Sequence, residues 1–578
     1  MLEDKDLQSI QQARRLVLAA HQAGLTLQSF SQEQTDKIVA AMAKAAEKEA
    51  RRLALLAVEE TGRGKPEDKT IKNLFAAVDI HNYIKKLKTC GVIAENKERK
   101  VVDIAVPVGV IAAIIPTTNP TSTAIFKILA AIKGRNSVVV SPHPQAVRCT
   151  AETARVMYEA ALQAGAPEGC VNCMDVVTLE GTTELMRHRL TGLILATGGP
   201  GLVRAAYSSG KPAFGVGPGN VPAFVERSAD IPKAVRDILT GKTFDNGLLC
   251  SSEQALVCDK PVESQVLREL QRNGAHLLAA EEQTKLEQLI QTPDKKLNAA
   301  IAGKSPQVIA EMAGFSVPSH AICLVGRPGG VGKEHPLSME KLSPILAFFV
   351  EDGWKAGCER CIEILRFGGL GHTMAIHSND RRVVMEFGLH KPANRICVNT
   401  PATHGSIGLT TGVPPSMTLG CGSPGGNITS DNITPLHLIN IRRLAYETRP
   451  ADTITYEALG PTPPATPGRP LEGIASSRGG IDSSSIRKLV RNVVEDYLNQ
   501  KPPLSTPDRR PPSTTPAPSA AKGVETVPTS RQPAVDFVCE DDVRQALDRK
   551  QKIVVNARTI ITPSARELGE GRSVFLWE

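Results

Sequence analysis

Hydrophobic positions in the first 449 residues alternate between helical spacing and short aliphatic runs. Residues 1–62 carry apolar side chains every three or four positions, which predicts amphipathic helices. The run 109–116 is aliphatic throughout and predicts a strand buried on both faces, as in a parallel sheet. Residues 121–132 predict an apolar helix, and residues 137–141 predict the next strand. This order predicts a doubly wound α/β fold with ligands at the carboxyl ends of its strands.

The pattern changes near residue 449, where Pro, Gly, Ser and Thr replace the aliphatic positions. Segments 450–484 and 501–533 contain too few apolar residues to offset chain entropy, and they are predicted to be disordered linkers. Segment 485–500, between them, predicts one amphipathic helix whose apolar residues run from Ile486 to Leu498. A helix this short is marginal alone. We expect it to dock on a partner protein, the alternative being that it folds back on its own chain.

The last segment, 534–578, is expected to form a small module. Residues 536–550 predict a helix, and residues 553–561 predict a strand or a hairpin. A further short helix is predicted to begin with Thr562 as its N-cap and Pro563 at its first position. A module of this size has a small core.

Composition narrows the class of protein. A chain of 578 residues is long enough for several domains of about 150 residues each. The 68 Lys and Arg against 60 Asp and Glu leave a net charge of +8, which argues against a nucleic-acid or polybasic membrane binder. The longest apolar run, 106–116, is too short to cross a bilayer, and the N-terminus lacks signal-peptide features. We therefore expect a cytoplasmic protein without membrane or nucleic-acid partners.

The cysteines are too few for a disulfide scaffold, at 12 in the whole chain. Two pairs have metal-ligand spacing, Cys170 with Cys173 and Cys358 with Cys361. A zinc ribbon needs two such pairs about 15–20 residues apart, and these pairs are separated by a large part of the chain. No metal site is expected.

Short motifs recur at the ends of the predicted strands. They are Pro116-Thr117-Thr-Asn119-Pro, Ser141-Pro-His143-Pro, Thr197-Gly198-Gly199-Pro, Gly215-Val-Gly217-Pro-Gly219-Asn220, Asn246-Gly-Leu-Leu-Cys250-Ser-Ser-Glu-Gln254, Gly369-Leu-Gly-His372-Thr and Thr418-Leu-Gly-Cys-Gly-Ser-Pro-Gly-Gly-Asn427. In this order they resemble the aldehyde dehydrogenase superfamily. Within it, they resemble the coenzyme A-acylating branch that includes microcompartment-associated acetaldehyde and propionaldehyde dehydrogenases. The resemblance covers about residues 5–447.

The resemblance implies an aldehyde dehydrogenase fold, with a Rossmann-like cofactor domain, an α/β catalytic domain and a small oligomerisation strand element. The implied divisions are 1–225 for the NAD-binding domain with an oligomerisation hairpin near 98–108, 226–425 for the catalytic domain, and 426–449 for an oligomerisation or return segment. A homo-oligomer, dimer or tetramer, is implied, with subunits paired through a strand within 436–445.

The resemblance also implies the chemistry of the site. Cys250 corresponds to the family's nucleophile, whose thiolate adds to an aldehyde carbonyl. Asn119 corresponds to the amide that forms an oxyanion hole with the backbone N–H of that cysteine. A plain Asn-Pro turn is the alternative for Asn119. Hydride transfer to a nicotinamide then leaves an acyl thioester on Cys250.

The implied cofactor is NAD, with NADP left open, and coenzyme A is the implied co-substrate. A glycine-rich turn before a helix suits phosphate binding, and glycines allow the backbone to approach a ligand closely. Glu340 corresponds to the family's nicotinamide-ribose carboxylate, and an exposed surface carboxylate is the alternative. The candidate cofactor-binding residues are Thr117, Ser141, His143, Thr197, Gly198, Gly199, Gly215, Gly217, Gly219 and Glu340.

One departure from the hydrolytic branch decides the expected product. Aldehyde dehydrogenases that release acids carry a water-activating Glu where this chain has Gly215 to Asn220, without a carboxylate. A thiol needs less activation than water, since its pKa of about 8.5 leaves some thiolate at neutral pH. Transfer of the acyl group to coenzyme A is therefore expected. His372 matches the acylating pattern and is a candidate for the substrate or coenzyme A site, a structural role being the alternative.

The tail resembles the encapsulation peptides of bacterial microcompartment enzymes. Residues 486–498 are accordingly expected to bind shell or cargo proteins, which would place the protein in a microcompartment lumen. The expected reaction is NAD-dependent, CoA-acylating oxidation of a short aliphatic aldehyde, propanal or acetaldehyde. Two alternatives stay open: a hydrolytic aldehyde dehydrogenase, which needs a carboxylate from another segment, and a catalytically inactive microcompartment scaffold.

Overall fold

The computed structural model describes residues 4–451, 535, 537–549, 551–556, 559–570 and 573–577. The chain divides into two compact units, Met1–Ala458 and Leu459–Glu578. The predicted linkers, apart from residues 450 and 451, and the predicted helix at 485–500 lie outside the described residues. Among the described residues, no helix is both long enough and apolar enough to span a membrane.

The first unit alternates helices and strands, as its sequence pattern predicts. Its α-helices are α1 Lys5–Leu27, α2 Gln32–Lys48, α3 Ala50–Thr61, α4 Pro66–Leu74, α5 Ile80–Ile84, α6 Pro120–Lys133, α7 Val147–Gln163, α8 Leu179–Arg187, α9 Pro200–Tyr207, α10 Ile231–Thr243, α11 Glu263–Arg272, α12 Ala280–Ile290, α13 Pro306–Ala313, α14 Gly353–Gly368, α15 Arg381–His390 and α16 Ala402–Ser406. Its strands are β1 Gly91–Asn96, β2 Val101–Pro107, β3 Val110–Ile114, β4 Ser137–Ser141, β5 Val171–Cys173, β6 Thr191–Thr197, β7 Ala213–Val216, β8 Val221–Val225, β9 Glu253–Asp259, β10 Ala275–Leu277, β11 Cys323–Gly326, β12 Ile345–Glu351, β13 Gly371–His377, β14 Ala393–Val398 and β15 Ile439–Ala445.

Two parallel sheets organise this unit. The first has the order β5-β4-β3-β6-β7 and the second the order β10-β11-β12-β9-β8-β13-β14. Every residue of β3 is buried, which confirms the prediction of a strand covered on both faces. The predicted helix at 121–132 is α6, and all of its residues are buried.

A buried lysine ties the ends of two central strands of the first sheet together. The Nζ atom of Lys127, on α6, donates to the carbonyl oxygens of Ile114 at 2.7 Å and Leu195 at 2.9 Å. Buried polar groups require such partners. This contact fixes the carboxyl ends of β3 and β6, from which candidate site residues continue.

A third, antiparallel sheet has the order β1-β2-β15. The hairpin predicted near 98–108 is formed by β1 and β2, and it begins earlier, at Gly91. Ile441 and Leu444 of β15 are exposed on it. The predicted pairing of subunits through 436–445 stays a prediction.

The chain passes from the first parallel sheet to the second before residue 221. Strand β8 pairs with β9 and β13 of the second sheet, although its residues fall within the range predicted for the cofactor domain, which ends at 225. Residues 217–220 alone separate β7 in the first sheet from β8 in the second. This short crossing brings the carboxyl end of one sheet to the amino end of the other.

The second unit contains β16 Phe537–Val538, α17 Glu540–Asp548, β17 Ile553–Val555, β18 Ile560–Ile561, α18 Pro563–Glu570 and β19 Phe575–Trp577. The predicted start of its first helix at 536 is wrong, because β16 precedes α17. A strand or a hairpin was predicted at 553–561. Strands β17 and β18 form there, but the hairpin alternative is wrong, because β17 pairs with β19 and β18 pairs with β16, both in parallel. Helix α18 begins at Pro563 as predicted, and the Thr562 hydroxyl accepts from the Ala565 N–H at 3.3 Å.

Candidate active site

The candidate nucleophile follows a turn with unusual backbone geometry. Asp245, Asn246 and Gly247 all have positive φ, at 50°, 52° and 74°. Positive φ in a non-glycine residue costs of order 1–3 kcal/mol and persists only where the surroundings enforce it. Here the Asn246 side chain donates to the Gly303 carbonyl at 2.9 Å, and a Cβ on Gly247 would lie 2.8 Å from the Ser343 carbonyl oxygen. The turn therefore holds Cys250 in a defined place before β9.

Cys250 contacts a histidine from a different strand. The Nε2 atom of His372, on β13, lies 3.2 Å from Cys250 Sγ. His372 is fully buried, and Cys250 is partly exposed. The Nδ1 atom of His372 lies 3.0 Å from the Thr373 hydroxyl oxygen. If Nδ1 carries the ring proton and donates to this oxygen, Nε2 is the acceptor that faces the thiol.

The pKa shifts of both members favour their neutral forms. Desolvation lowers the pKa of His372 to about 3, and the nearby Arg395 guanidinium lowers it further. Desolvation raises the pKa of Cys250 to about 12, and the carboxylate of Glu340 adds to that increase. A neutral imidazole beside a neutral thiol can accept a proton when the sulfur attacks, so the site needs no preformed ion pair.

Gly219 lies directly against the nucleophile. A Cβ on this residue would stand 2.1 Å from the carbonyl oxygen of Cys250 and 3.1 Å from the ring of His372. Its N–H donates to Glu340 Oε1 at 3.1 Å. Desolvation raises the pKa of Glu340 to about 7, against the opposing effect of this hydrogen bond. Only a residue without a side chain allows this close approach.

Asn119 follows β3 and comes just before α6 in the chain. Its Oδ1 accepts a hydrogen bond from the ammonium group of Lys72, and its Nδ2 donates to the Thr118 hydroxyl at 3.1 Å. Lys72 also forms an ion pair with Asp245, in the turn that leads to Cys250. The predicted oxyanion-hole amide and the nucleophile turn are thus joined through one buried lysine.

Several predicted cofactor residues lie at the carboxyl ends of the first sheet. The hydroxyl oxygens of Thr117 after β3 and Thr197 at the end of β6 are buried, without a hydrogen-bond partner in the described part of the chain. Gly199 precedes α9, and a Cβ there would meet no atom within 4 Å. The unpartnered Thr197 hydroxyl, just before the N-terminus of α9, suits the phosphate groups of a nucleotide cofactor. Gly217 has the same open surroundings.

Other predicted cofactor residues already have partners in the protein. The Ser141 hydroxyl lies 3.0 Å from that of Thr182, and His143 Nδ1 accepts from the Gln145 N–H at 3.1 Å. Desolvation lowers the pKa of His143, and Arg63 lowers it further. A Cβ on Gly198 would stand 2.6 Å from the Leu202 side chain, so this glycine serves helix packing.

Gly215 is also closely packed. A Cβ on it would lie 2.7 Å from Val203 and 3.0 Å from the ring of Tyr207, both on α9. The Tyr207 hydroxyl accepts from the Gly215 N–H at 3.0 Å. A side chain at position 215 would therefore overlap α9.

The position of the site corrects one prediction. Ligands were expected at the carboxyl ends of strands, and the candidate residues Asn119, Thr117 and Thr197 lie at such ends. Cys250 precedes β9 and His372 opens β13, so the second sheet contributes its amino ends. The reason is the short crossing at 217–220, which joins opposite ends of the two sheets.

Sequence reasoning missed the residues that support the site. Lys69 and Lys72 are buried on α4, whereas lysines on a helix ordinarily mark its solvent-exposed face. Thr373 and Arg395 surround His372, with the Arg395 guanidinium donating to the His372 carbonyl at 2.8 Å. Asp245 directly precedes the motif at 246–254, and this position was the one sequence feature that could have marked it as a site residue.

Comparison with known proteins supports the motif resemblance. The aldehyde dehydrogenase family matches residues 6–313. Aldehyde-alcohol dehydrogenase 2 of Entamoeba histolytica is 44% identical over 427 residues, which cover 72% of this chain and 49% of that protein. The chain spans about half the length of such curated relatives.

Solved structures agree with this family. An acetylating aldehyde dehydrogenase from Geobacillus thermoglucosidasius superposes with a TM-score of 0.77 at 54% identity, covering 78% of this chain and 99% of that one. A propionaldehyde dehydrogenase from the Clostridium phytofermentans fucose utilisation bacterial microcompartment superposes with a TM-score of 0.69 at 30% identity, covering 75% and 97%. The resemblance to acylating members and the α/β fold class are confirmed.

Proposed function

This chain belongs to the aldehyde dehydrogenase family, and we propose that it oxidises a short aliphatic aldehyde and transfers the acyl group to coenzyme A. The observation that carries the proposal is the contact between Cys250 and His372, in a site where residues 215–220 supply no carboxylate. A histidine beside the thioester suits attack by a thiol, which loses its proton more readily than water does.

The first step is addition of Cys250 to the aldehyde. The sulfur bonds to the carbonyl carbon, its proton passes to His372 Nε2, and the oxygen gains the negative charge. The Asn119 amide and the Cys250 N–H donate to that oxygen. A nicotinamide cofactor held at Gly199, Gly217, Thr117 and Thr197 would supply the hydride acceptor that oxidation of this adduct to a thioester on Cys250 requires. His372 then releases its proton to solvent.

The second step is transfer. The thiol of coenzyme A loses its proton to His372 Nε2 and attacks the thioester carbon. The bond from that carbon to Cys250 breaks, and the proton on Nε2 returns to the departing sulfur. The products are acyl-CoA, reduced cofactor and one proton.

The cofactor and the aldehyde substrate are proposed from the family and from particular residues. NAD, with NADP as the alternative, fits the open backbone at Gly199 and Gly217 and the unpartnered hydroxyls of Thr117 and Thr197. Glu340 is proposed to accept from the nicotinamide ribose. Acetaldehyde or propanal as substrate is supported by what the two solved relatives are named for.

Hydrolytic release is the alternative reaction. It needs a carboxylate near Cys250, and Glu340 is the candidate because its charge raises the pKa of that thiol. Against it, Glu340 Oε1 is engaged by the Gly219 N–H. An inactive scaffold is the second alternative, and the contact between Cys250 and His372 argues for chemistry instead.

The deciding experiment measures reduced nicotinamide formed from acetaldehyde or propanal, with and without coenzyme A. We expect turnover that requires coenzyme A, with acyl-CoA as product, and its loss in Cys250→Ala. Equal rates without coenzyme A, with free acid released, would favour hydrolysis. Absence of turnover with both aldehydes and both cofactors would favour a scaffold.

A microcompartment location is proposed for the same enzyme. Residues 486–498 resemble encapsulation peptides, and one structural relative comes from a microcompartment. Deleting 481–500 should preserve turnover and abolish co-purification with shell proteins. Retained co-purification would place targeting in another segment.

A further inference from the structure

Two lysines on α4 are buried in the protein and share one carboxylate. Lys69 and Lys72 are each 1% exposed, and both form ion pairs with Asp245, which is fully buried. Asp245 is held further by the N–H of Lys65, which donates to Oδ1 at 2.8 Å. Buried charges are kept only where pairing and hydrogen bonds compensate for desolvation. The cluster is therefore a built element of the site.

The two lysines differ in what else they contact. Lys69 Nζ donates to the backbone carbonyl of Thr118 at 3.0 Å. Lys72 Nζ donates to the side-chain Oδ1 of Asn119. An ammonium group is a donor only, whereas a carboxamide has one acceptor end and one donor end. Lys72 thus determines that the Oδ1 end of the Asn119 amide, and not the Nδ2 end, points toward the buried lysine.

We propose that Lys72 is a positioning residue for the oxyanion hole. Its ammonium group fixes Asn119 with Oδ1 inward, so that Nδ2 faces the reacting carbonyl, and its positive charge strengthens Nδ2 as a donor. One Nδ2 hydrogen is directed to the Thr118 hydroxyl at 3.1 Å, which leaves the second for the substrate oxygen. The inference rests on the proposed function, in which Asn119 serves that oxygen.

The anchor of Lys72 explains how the two halves of the site stay aligned. Asp245 is five residues before Cys250, in the turn with positive φ, while Asn119 follows β3 of the other sheet. Lys72 contacts both Asn119 and Asp245, so one charged group sets the position of the donor amide relative to the turn that carries the nucleophile. Misplacement of a reacting group by about 1 Å can cost a hundred-fold in rate.

The test compares two reactions of Cys250 that need no nicotinamide or coenzyme A. In the first, p-nitrophenyl acetate acylates the sulfur: the S–C bond forms, p-nitrophenolate leaves, and the thiol proton goes through His372 to solvent. The carbonyl oxygen carries negative charge in the transition state. In the second, iodoacetamide alkylates the same sulfur by displacement of iodide, with no oxyanion.

For Lys72→Met we expect the acylation rate constant to fall by about ten- to a hundred-fold. This loss should not exceed the loss caused by removing an oxyanion-hole donor altogether. The half-saturating ester concentration and the alkylation rate of Cys250, followed by peptide mass spectrometry, should stay within about two-fold. Lys69→Met is the matched control, because it removes the other buried ion pair to Asp245 without removing a contact to the Asn119 side chain. Its acylation rate should fall much less.

Combination with Asn119→Ala makes the test specific. If Lys72 acts through Asn119, adding Lys72→Met to Asn119→Ala should cause little further loss. Additive losses, or equal losses of acylation and alkylation, would show a merely structural lysine and overturn the inference. Where Lys72→Met does not fold, Lys72→Gln is measured in the same way, with an intermediate rate expected because its amide still donates. Wild-type protein without Cys250-dependent acylation would instead overturn the proposed nucleophile.

Discussion

The Nε2 atom of His372 lies 3.2 Å from the sulfur of Cys250, although 122 residues separate them in the chain. They come from adjoining regions of the second sheet, where β9 and β13 both flank β8. Burial keeps the imidazole and the thiol neutral. A proton acceptor is therefore placed at the sulfur without an ion pair.

Replacing this acceptor should slow both thiol steps. For His372→Asn we expect coenzyme A-dependent turnover to fall by about 10²- to 10⁴-fold, the usual contribution of a general base. His377→Asn is the matched control: His377 lies on the same strand, and desolvation lowers its pKa to about 4. Steady-state turnover checks both variants. Comparable losses in the two would assign His372 a packing role.

The charge of Glu340 should be visible in the titration of Cys250. Because its carboxylate raises the pKa of the thiol, Glu340→Gln should lower that pKa and move alkylation of Cys250 to lower pH. The difference should be present above about pH 7, where Glu340 is ionised, and should vanish below it. The pH profile of iodoacetamide labelling measures this, with the exposed Glu334→Gln as control. Superimposable profiles would contradict it.

Gly219→Ala should abolish activity. Its new Cβ would stand 2.1 Å from the Cys250 carbonyl oxygen, so the nucleophile turn must move. We expect a loss of at least about a hundred-fold in turnover, since a shift near 1 Å suffices for that. Gly388→Ala, where a Cβ meets no atom within 4 Å, should remain active. Near wild-type turnover in Gly219→Ala would show that the turn relaxes freely.

Introducing a carboxylate at position 215, within the segment where the hydrolytic branch carries its Glu, should not create a hydrolytic enzyme. In Gly215→Glu the Cβ would collide with Val203 and Tyr207, and overpacking of this kind costs about 1–3 kcal/mol. We expect a lower Tm and no acid release without coenzyme A. Gly217→Glu, at an open position, should lower Tm less. Cys250-dependent acid release by Gly215→Glu would show that α9 moves aside.

The periodicity of the chain was enough to predict two neighbouring strands of the first sheet. The aliphatic run at 109–116 contains β3, and β4 occupies the predicted segment 137–141. In the second unit, the apolar pattern at 553–561 predicted β-structure, which forms as β17 and β18, but it did not reveal that each strand pairs with another segment. Local pattern determines an element and leaves its pairing to distant segments.

The sequence by itself determined the parallel α/β architecture and the motif that contains Cys250, because buried strands and turns have recognisable patterns within a short stretch of sequence. Only the tertiary structure decided that the second sheet presents its amino ends, that His372 meets Cys250, and that Lys72 joins Asn119 to Asp245. These relations depend on the crossing at 217–220 and on burial. Contact between residues far apart in the chain, and the desolvation that shifts their pKa, have no local signature.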